Sequence, residues 1–228
     1  MANKNGVGIL IDNTLKDGVV DVKRQGDRII LVKLVLGNVV LNIISAYAPQ
    51  VGLSDSKKRK FWKDLDGMVR AVPTNEKLFI GDLNGHVGST NAGYELAHGG
   101  LGYGSRNQEG KDILDFAVVI ANAFFRKRDS HLVTFSSGHR SSQIDFVLTM
   151  REDKQAFLDC KVIPGESVMP QHNLVATNFR FRICSHRDKQ AKIARTKWWN
   201  SKGRHPKFLG KEFLWRARGS KKMQTSCG

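Results

Sequence analysis

The sequence has few cysteines and no recognisable secretory segment. Its cysteines show no metal-ligand spacing and leave one thiol unpaired: Cys160, Cys184 and Cys227. That usage favours a reducing intracellular compartment with buried structural thiols. The residues from Met1 to Asn5 are polar, and Asp12 interrupts the apolar run that follows, so no signal peptide is predicted.

Long hydrophobic runs are also missing. The longest apolar region, residues 29–48, is interrupted by Lys33, Asn38 and Asn42, so it predicts two strands and no membrane span. Glutamate is scarce at the start of the chain, where the first one is Glu76. With 228 residues and 40% hydrophobic content, the chain can form one large α/β domain or two small ones.

The net charge of +16 is concentrated near the carboxyl end. Residues 180–228 hold 15 basic and 2 acidic side chains, a balance of +13, whereas residues 1–179 hold 22 and 19. We therefore predict a domain over residues 1–183 and a basic tail over 184–228, disordered or partly helical. Such a tail typically contacts a polyanion; the alternative is an unfolded tail without function.

The hydrophobic pattern predicts many strands and two helices, an arrangement typical of two packed sheets flanked by helices. The helices are expected from Ser54 or Asp55 to about Pro73 and over residues 108–117, with a glycine-rich loop over 85–104. The strands are expected over residues 6–12, 28–36, 39–47, 78–80, 118–124, 132–135, 143–148, 157–163 and 174–183.

Asp82 and Asn84 follow a short apolar strand and lie beside two glycines. The end of a strand followed by glycine is where α/β folds place ligands. If the chain is extended here, side chains two residues apart point to the same side. A carboxylate and a carboxamide presented together suit a magnesium-bound phosphate, whereas the simpler interpretation is an Asx turn before glycine.

Asp145 lies between Ile144 and Phe146 in an apolar segment. An unpaired buried carboxylate costs several kcal/mol, so a partner is required. That partner is either a histidine, whose tautomer the carboxylate would fix, or a set of backbone donors.

Two further side chains are candidates because they lie at predicted strand ends. His172 follows a proline-containing loop and precedes a strand, where it could act as a general acid or base or bind phosphate. Tyr47 ends a strand next to Ala48 and Pro49; its ring could equally be a core aromatic with a solvated hydroxyl. We expect Tyr47, Asp82, Asn84, Asp145 and His172 to converge at one end of the two sheets.

The order of these motifs resembles the endonuclease/exonuclease/phosphatase superfamily, which includes DNase I and the endonucleases of LINE retrotransposons. Residues 81–88, 106–110, 114–116, 131–135 and 171–172 are similar to craniofacial development protein 2-like sequences and to the endonuclease domain of RTE-clade non-LTR retrotransposons. The segment 195–199 resembles the basic Trp-Trp segment behind that domain. The resemblance implies a DNase I-like four-layer α/β sandwich of two packed mixed sheets flanked by helices.

The resemblance also implies a hydrolase that attacks a phosphodiester with an activated water in magnesium or manganese. It assigns Asp82 and Asp145 to the metal region, Asn84 to the phosphate and nucleophile region, His172 to acid/base or phosphate contact, and Tyr47 to phosphate contact. Nucleic acid, DNA or RNA, would be the partner, with no small-molecule cofactor and no membrane. The expected location is intracellular, with the nucleus preferred to the cytoplasm. Its expected contacts are Arg106, Asn107, Arg195, Lys197, Trp198 and Trp199.

The chain departs from the superfamily pattern in three places. The family carries a metal-binding Glu on a strand before the one matching residues 6–12, so we expect an N-terminally truncated domain with impaired activity. Gln171 replaces the usual Asp beside the histidine, and the helix after Asn107 is shortened. Two alternatives stay open. One is a non-catalytic, domesticated or decayed retrotransposon fragment that binds nucleic acid through its tail, and the other is a phosphatase of the same fold acting on small phosphates or lipid headgroups.

The charge distribution leads to a prediction about the tail. Deleting the residues after Ile183 should abolish most binding to DNA or RNA, because each phosphate that a basic side chain neutralises releases counterions. Binding of the full chain should weaken steeply as salt is raised in a titration with labelled duplex. Equal binding by the truncated chain at low salt would show that the tail is not the nucleic-acid surface.

Overall fold

The computed structural model describes residues 6–73, 76–116 and 119–180, and these residues form two packed β-sheets with helices on one side. The tail with Arg195, Lys197, Trp198 and Trp199 lies outside the described residues. The strands are β1 Val19–Gln25, β2 Ile29–Leu36, β3 Val39–Ala46, β4 Lys77–Ile80, β5 Val119–Ile120, β6 Phe135–Ser137, β7 Arg140–Ser142, β8 Leu148–Thr149, β9 Phe157–Met169 and β10 His172–Phe179.

The larger sheet has the order β1-β2-β3-β4-β8-β5, and the smaller has the order β7-β6-β10-β9. In the larger sheet β3 and β4 are parallel, whereas β8 runs antiparallel to both β4 and β5. The smaller sheet is antiparallel throughout. A mixed sheet and an antiparallel sheet packed face to face agree with the predicted α/β fold class.

The helices are α1 Asp55–Arg70 and α2 Gln108–Asp115, with 3-10 turns at Lys16–Gly18, Ala121–Phe124, Asp129–His131 and Arg151–Ala156. Phe61 and Leu65 recur at helical spacing on α1, so they lie on one face and are buried against the larger sheet. Ile113 and Leu114 of α2 join the same cluster. Ser54 is the N-cap of α1, and Pro73 follows its end, as predicted.

β2 and β3 are the centre of the fold because both of their faces are covered. Ile29 and Leu31 pack towards the helices, whereas Val32 and Leu34 pack with Phe157 of β9 between the two sheets. The pattern of β3 is equally buried, which confirms the interpretation of residues 39–47 as a strand covered on both faces. The two α-helices thus cover one face of the larger sheet, and the smaller sheet packs on its other face.

The start of the chain differs from the prediction. Residues 6–12 form no strand; instead Val7 is buried against Ile30 and Tyr47, and its carbonyl accepts a hydrogen bond from Arg24. The adjacent strand β1 was not expected, because its exposed charged residues hide the alternating pattern. β1 is the edge strand of the larger sheet, and charges on such an edge discourage pairing with other chains.

Three other predicted strands are shorter than expected. The segment 118–124 has a two-residue strand followed by the 3-10 turn Ala121–Phe124, and residues 132–134 precede β6 without belonging to it. Residues 143–147 are irregular, and only Leu148–Thr149 pairs in the sheet. Residues 144–147 stay irregular because side chains, and not a neighbouring strand, form hydrogen bonds with several of their backbone groups.

β9 and β10 form a long hairpin across the predicted segments 157–163 and 174–183. The Cys160 thiol is buried in it and accepts a hydrogen bond from the Thr177 hydroxyl, and burial raises its pKa to about 12. This thiol is therefore structural, as predicted; Cys184 and Cys227 lie outside the described residues. Among the residues that the structure describes, no helix is long and apolar enough to cross a membrane.

A close approach between α2 and the loop after β4 generates a prediction about stability. A Cβ atom on Gly110 would overlap the backbone carbonyl of His86, and one on Gly85 would lie 2.7 Å from the Gly110 nitrogen. We expect Gly110→Ala to lower the free energy of unfolding by about 2 kcal/mol or more, because backbone must move to accept the methyl group. Urea unfolding measures the change.

The other helical glycine supplies the control. A Cβ atom on Gly67, in the middle of α1, would meet nothing within 4 Å. Gly67→Ala should therefore raise the free energy of unfolding by about 0.5–1 kcal/mol through helix propensity alone. Equal effects of the two substitutions would contradict the close approach.

Candidate active site

Tyr47 and Asp82 follow the carboxyl ends of β3 and β4, so they lie at the end of the larger sheet where these two strands finish. We refer to this end of the sheet as its site edge. Ile44 pairs with Ile80 in parallel register, so the residues that follow the two strands emerge side by side. A hydrogen bond of 2.8 Å from the Asn84 amide to the Ala48 carbonyl joins the two segments beyond the sheet. The two strand ends that carry Tyr47 and Asp82 therefore lie side by side, as the sequence predicted.

Asp82 and Asn84 form an Asx turn at this edge. The Asp82 Oδ1 atom accepts a hydrogen bond of 2.8 Å from the Asn84 backbone N–H, and Asn84 has a φ of 50°. The expectation of an extended chain with both side chains on one side is therefore wrong. Asparagine tolerates the left-handed region because its short side chain can hydrogen-bond locally, and here that side chain reaches Ala48. Asp82 itself is only 3% exposed.

Asp145 has the histidine partner that the sequence left as one of two options. Its Oδ2 atom lies 3.1 Å from Nδ1 of His172, and the two side chains are 10% and 9% exposed. Since an ionised carboxylate can only accept, the proton of this bond belongs to Nδ1 and the lone pair of the neutral ring is on Nε2. The ring of Phe135 packs edge-on against His172, with a distance of 4.9 Å between ring centroids.

Two buried side chains that sequence reasoning missed hold Asp145 in place. The Thr134 hydroxyl accepts hydrogen bonds from the backbone N–H groups of Ile144 and Asp145, at 3.0 and 3.1 Å. The Asn122 amide donates to the Asp145 carbonyl and accepts from the Val147 N–H, at 3.2 and 2.8 Å. A polar residue inside an apolar run was the available signal in both cases.

The Asp145–His172 pair and the Asp82–Asn84 turn lie at the same edge of the larger sheet. Ile80 pairs antiparallel with Leu148, so the residues after β4 and the residues before β8 leave the sheet together. Asp82 comes two positions after Ile80, and Asp145 comes three positions before Leu148. The topology thus brings Asp82, Asn84, Asp145 and His172 to the end of the sheets where Tyr47 also lies.

Tyr47 reaches the same edge but lies largely in the core. Its side chain is 4% exposed, and its hydroxyl accepts a hydrogen bond of 2.8 Å from the Gln50 amide. The guanidinium of Arg28 lies 5.1 Å from the ring centroid and donates to the Tyr47 carbonyl. This environment favours the core-aromatic interpretation; a contact between Tyr47 and phosphate stays a prediction.

Arg106 and Asn107 are engaged in holding the glycine-rich loop that follows the Asp82–Asn84 turn. The Arg106 guanidinium donates to the carbonyls of Val87, Thr90 and Ala92 at 3.0, 2.6 and 3.2 Å. The Asn107 side chain caps α2 by accepting from the Gly110 N–H and also accepts from the His86 N–H, at 2.8 and 2.9 Å. Both placements favour positioning of the loop, and nucleic-acid contact by these side chains stays a prediction.

His98 is a buried histidine at the centre of the same loop. Its side chain is 0% exposed, and Nδ1 accepts a hydrogen bond of 3.0 Å from the Gly100 N–H. Burial, and secondarily the positive charge of Arg106, lower the pKa of His98 to about 4. The loop is therefore built around an uncharged imidazole.

The acidic side chains at the site edge could bind a divalent cation whose coordination shell is completed by the substrate. The Asp145 Oδ1 atom is buried and makes no hydrogen bond within the described part of the chain, so it is an acceptor that a cation would satisfy. Among residues 6–73, 76–116 and 119–180, no three His, Cys, Asp or Glu side chains are grouped as a metal site. Magnesium commonly takes one or two carboxylates and fills its remaining positions with phosphate oxygens and water. A cation held by Asp82 and Asp145 stays a prediction.

Curated proteins with related sequences support the resemblance derived from the motifs. Craniofacial development protein 2 from Bos taurus and from Tragulus javanicus are each 26% identical to the chain over 187 residues. The alignments cover 79% of this chain but 31% and 32% of those proteins, so the chain spans about a third of their length. No protein-family profile matches the chain.

Solved structures define the fold. The endonuclease domain of TRAS1, a telomere-specific non-LTR retrotransposon, matches with a TM-score of 0.51 and 14% identity over 71% of this chain and 67% of that one. An AP endonuclease from Archaeoglobus fulgidus gives a TM-score of 0.49 and 15% identity over 72% of each chain. The similarity to the TRAS1 domain shows that the chain has the DNase I-like fold of endonuclease/exonuclease/phosphatase proteins, as the motif order predicted.

The buried histidine of the loop generates a prediction about pH. The unfolded chain takes up a proton at His98 below pH ~6.5, whereas the folded chain takes it up only near pH 4. The contribution of the uncharged His98 to the free energy of unfolding is thus fully present above pH 6.5. It falls as the pH drops towards 4, and the total loss is about 3 kcal/mol. Urea unfolding at pH 7.0, 5.5 and 4.5 measures this loss.

His98→Gln should flatten the same series, because the amide oxygen can still accept from Gly100 and does not titrate. His139→Gln, at an exposed hairpin position, is the matched control and should leave the series unchanged. An unaltered pH dependence in His98→Gln would mean that other groups cause the loss of stability.

Proposed function

We propose that the chain is a magnesium- or manganese-dependent phosphodiesterase that nicks DNA. The observation that carries the proposal is the buried Asp145–His172 pair, which lies at the same sheet edge as the Asp82–Asn84 turn. The endonuclease domain of TRAS1, which shares this fold, supports a nuclease. A DNA substrate would also be consistent with a nuclear location.

The Asp145–His172 pair would provide the proton transfer. Because the carboxylate holds the proton of Nδ1, the ring presents Nε2 as the nitrogen that exchanges a proton with the substrate or with water. When Nε2 carries a proton, it can donate a hydrogen bond to a phosphate oxygen while Nδ1 stays bound to Asp145. Burial of both side chains strengthens this interaction because little water competes for it.

The Asp82–Asn84 turn would position the phosphate and the cation. Asp82 and Asp145 would hold the cation, which when bound neutralises charge on the phosphate oxygens. The Asn84 amide already donates one hydrogen bond to the Ala48 carbonyl, so its orientation is fixed before a substrate arrives. A fixed carboxamide costs little reorganisation when it binds a phosphate oxygen or a water.

A second candidate function is nucleic-acid binding without catalysis. It is favoured by the absence, among the described residues, of a group of three metal-ligating side chains. A chain of this kind would bind DNA or RNA through its basic segments and leave the phosphodiester intact. The two candidates differ in a single measurement, the conversion of supercoiled plasmid to open circles.

The proposal predicts nicking of supercoiled plasmid that requires magnesium or manganese and stops when the cation is chelated. Asp82→Ala and His172→Ala should each lower the rate by about 100-fold or more, which is the usual contribution of an acid/base or electrostatic group. Asp145→Asn should also lower the rate, because an amide favours the wrong histidine tautomer. Gel electrophoresis of the plasmid measures each rate.

Asp17→Ala is the matched control, because Asp17 is exposed and precedes β1 at the opposite edge of the larger sheet. It should nick at the rate of the unmodified chain. Nicking that survives both Asp82→Ala and His172→Ala would contradict the proposed site. Salt-sensitive binding of the plasmid without nicking would favour the non-catalytic alternative.

A further inference from the structure

The first two turns of α1 carry four consecutive basic residues at the site edge. β3 ends at Ala46, and the short connection through Tyr47 and Gln50 leads directly into the N-cap Ser54. Because the connection is short and starts at the edge that bears Asp82, the helix begins near that edge. The basic residues are Lys57, Lys58, Arg59 and Lys60, and we refer to them as the basic turn.

Contacts with α2 fix the basic turn next to the loop of the site. The Lys58 Nζ atom lies 2.9 Å from Glu109 Oε1, and both side chains are mostly buried. Lys58 and, to a smaller extent, His86 lower the pKa of the Glu109 carboxyl. His86 is two residues after Asn84 and is held by Asn107. Adjacent contacts therefore connect the Asp82–Asn84 turn to the basic turn.

Two of the four charges have no acidic partner. Lys58 pairs with Glu109, and Lys60 pairs with Asp64 at 2.7 Å. Lys57 and Arg59 are exposed and make no ion pair with any residue in the described part of the chain. The surface that the basic turn presents to solvent is therefore positively charged.

The local helix chemistry disfavours a lysine at position 57. With Ser54 as N-cap, Lys57 occupies the third helical position, where a glutamate would complete a capping box. The peptide dipoles also favour acidic and not basic side chains in the first turn. The Ser54 side chain makes no capping hydrogen bond. A residue that opposes the helix in this way is typical of a functional surface.

We infer that Lys57 and Arg59 bind the phosphate backbone of duplex DNA beside the nicked strand. The inference rests on the proposed function, since it concerns the substrate of the same site. Both cations are exposed on the first two turns of α1 and have no acidic partner among the described residues, so they complement the negative charge of a polyphosphate. Such contacts position the duplex and carry no sequence preference.

The test measures DNA affinity of the full-length chain with the double substitution Lys57→Glu/Arg59→Glu. Fluorescence anisotropy with a labelled 30-base-pair duplex, without divalent cation, separates binding from catalysis. We expect the affinity to fall by about tenfold or more and the salt dependence to lose about two phosphate contacts, a slope change of about 1.8. The melting temperature should rise by about 2 °C, because a capping box is created.

The matched control is Lys16→Glu/Arg151→Glu. It changes the net charge equally, since it also replaces one lysine and one arginine. Both positions are exposed and lie at the opposite edge of the larger sheet, before β1 and after β8. The control should bind DNA with an affinity within about twofold of the unmodified chain.

Equal losses in the two double variants would overturn the inference, because net charge alone would then explain the effect. Unchanged affinity in Lys57→Glu/Arg59→Glu would also overturn it, while plasmid nicking lost in Asp82→Ala would still support the proposed function. Absence of DNA binding by the unmodified chain would overturn both. A lower melting temperature in the variant would show that Lys57 stabilises the helix and would contradict the capping argument.

Discussion

The structure depends on the need of a buried carboxylate for a partner. Asp145 precedes a strand of the larger sheet, and His172 begins a strand of the smaller sheet, so their contact joins the two sheets at one end. Removing either partner would leave a buried polar group without its bond, which costs more than the bond itself contributes. The same contact fixes which nitrogen of the ring carries the proton. Packing and reactivity are therefore set by one interaction.

Polar side chains replace regular strand pairing around this contact. Thr134 and Asn122 take up the backbone groups of residues 144–147, and Asn107 does the same for His86 and the start of α2. Irregular backbone satisfied in this way can direct a side chain beyond the end of a sheet, whereas a regular strand directs its side chains to the two faces. Each of these bonds is made by a buried or half-buried residue, so water competes little for it.

The parts of the fold with strong periodicity were predictable from the sequence. β2, β3 and α1 have long apolar patterns and clear ends, and the requirement for a partner of Asp145 followed from burial alone. The left-handed backbone of Asn84 and the irregular segment before β8 were not predictable, because side chains distant in sequence determine them. Residues 6–12 have the composition of a strand but find no neighbouring strand in the described residues, so they pack as irregular chain.

Position 110, where glycine packs against His86, is under selection for the fold, whereas position 172 is also under selection for the chemistry. A lineage that needs only the fold must keep glycine at position 110, because no other residue fits against that carbonyl. The same lineage can replace His172 by glutamine or another side chain that still donates a hydrogen bond to Asp145, because the sheets need that bond and only the chemistry needs the imidazole. Substitution patterns at these two positions among descendants of one ancestor would therefore distinguish copies maintained for their shape from copies maintained for their chemistry.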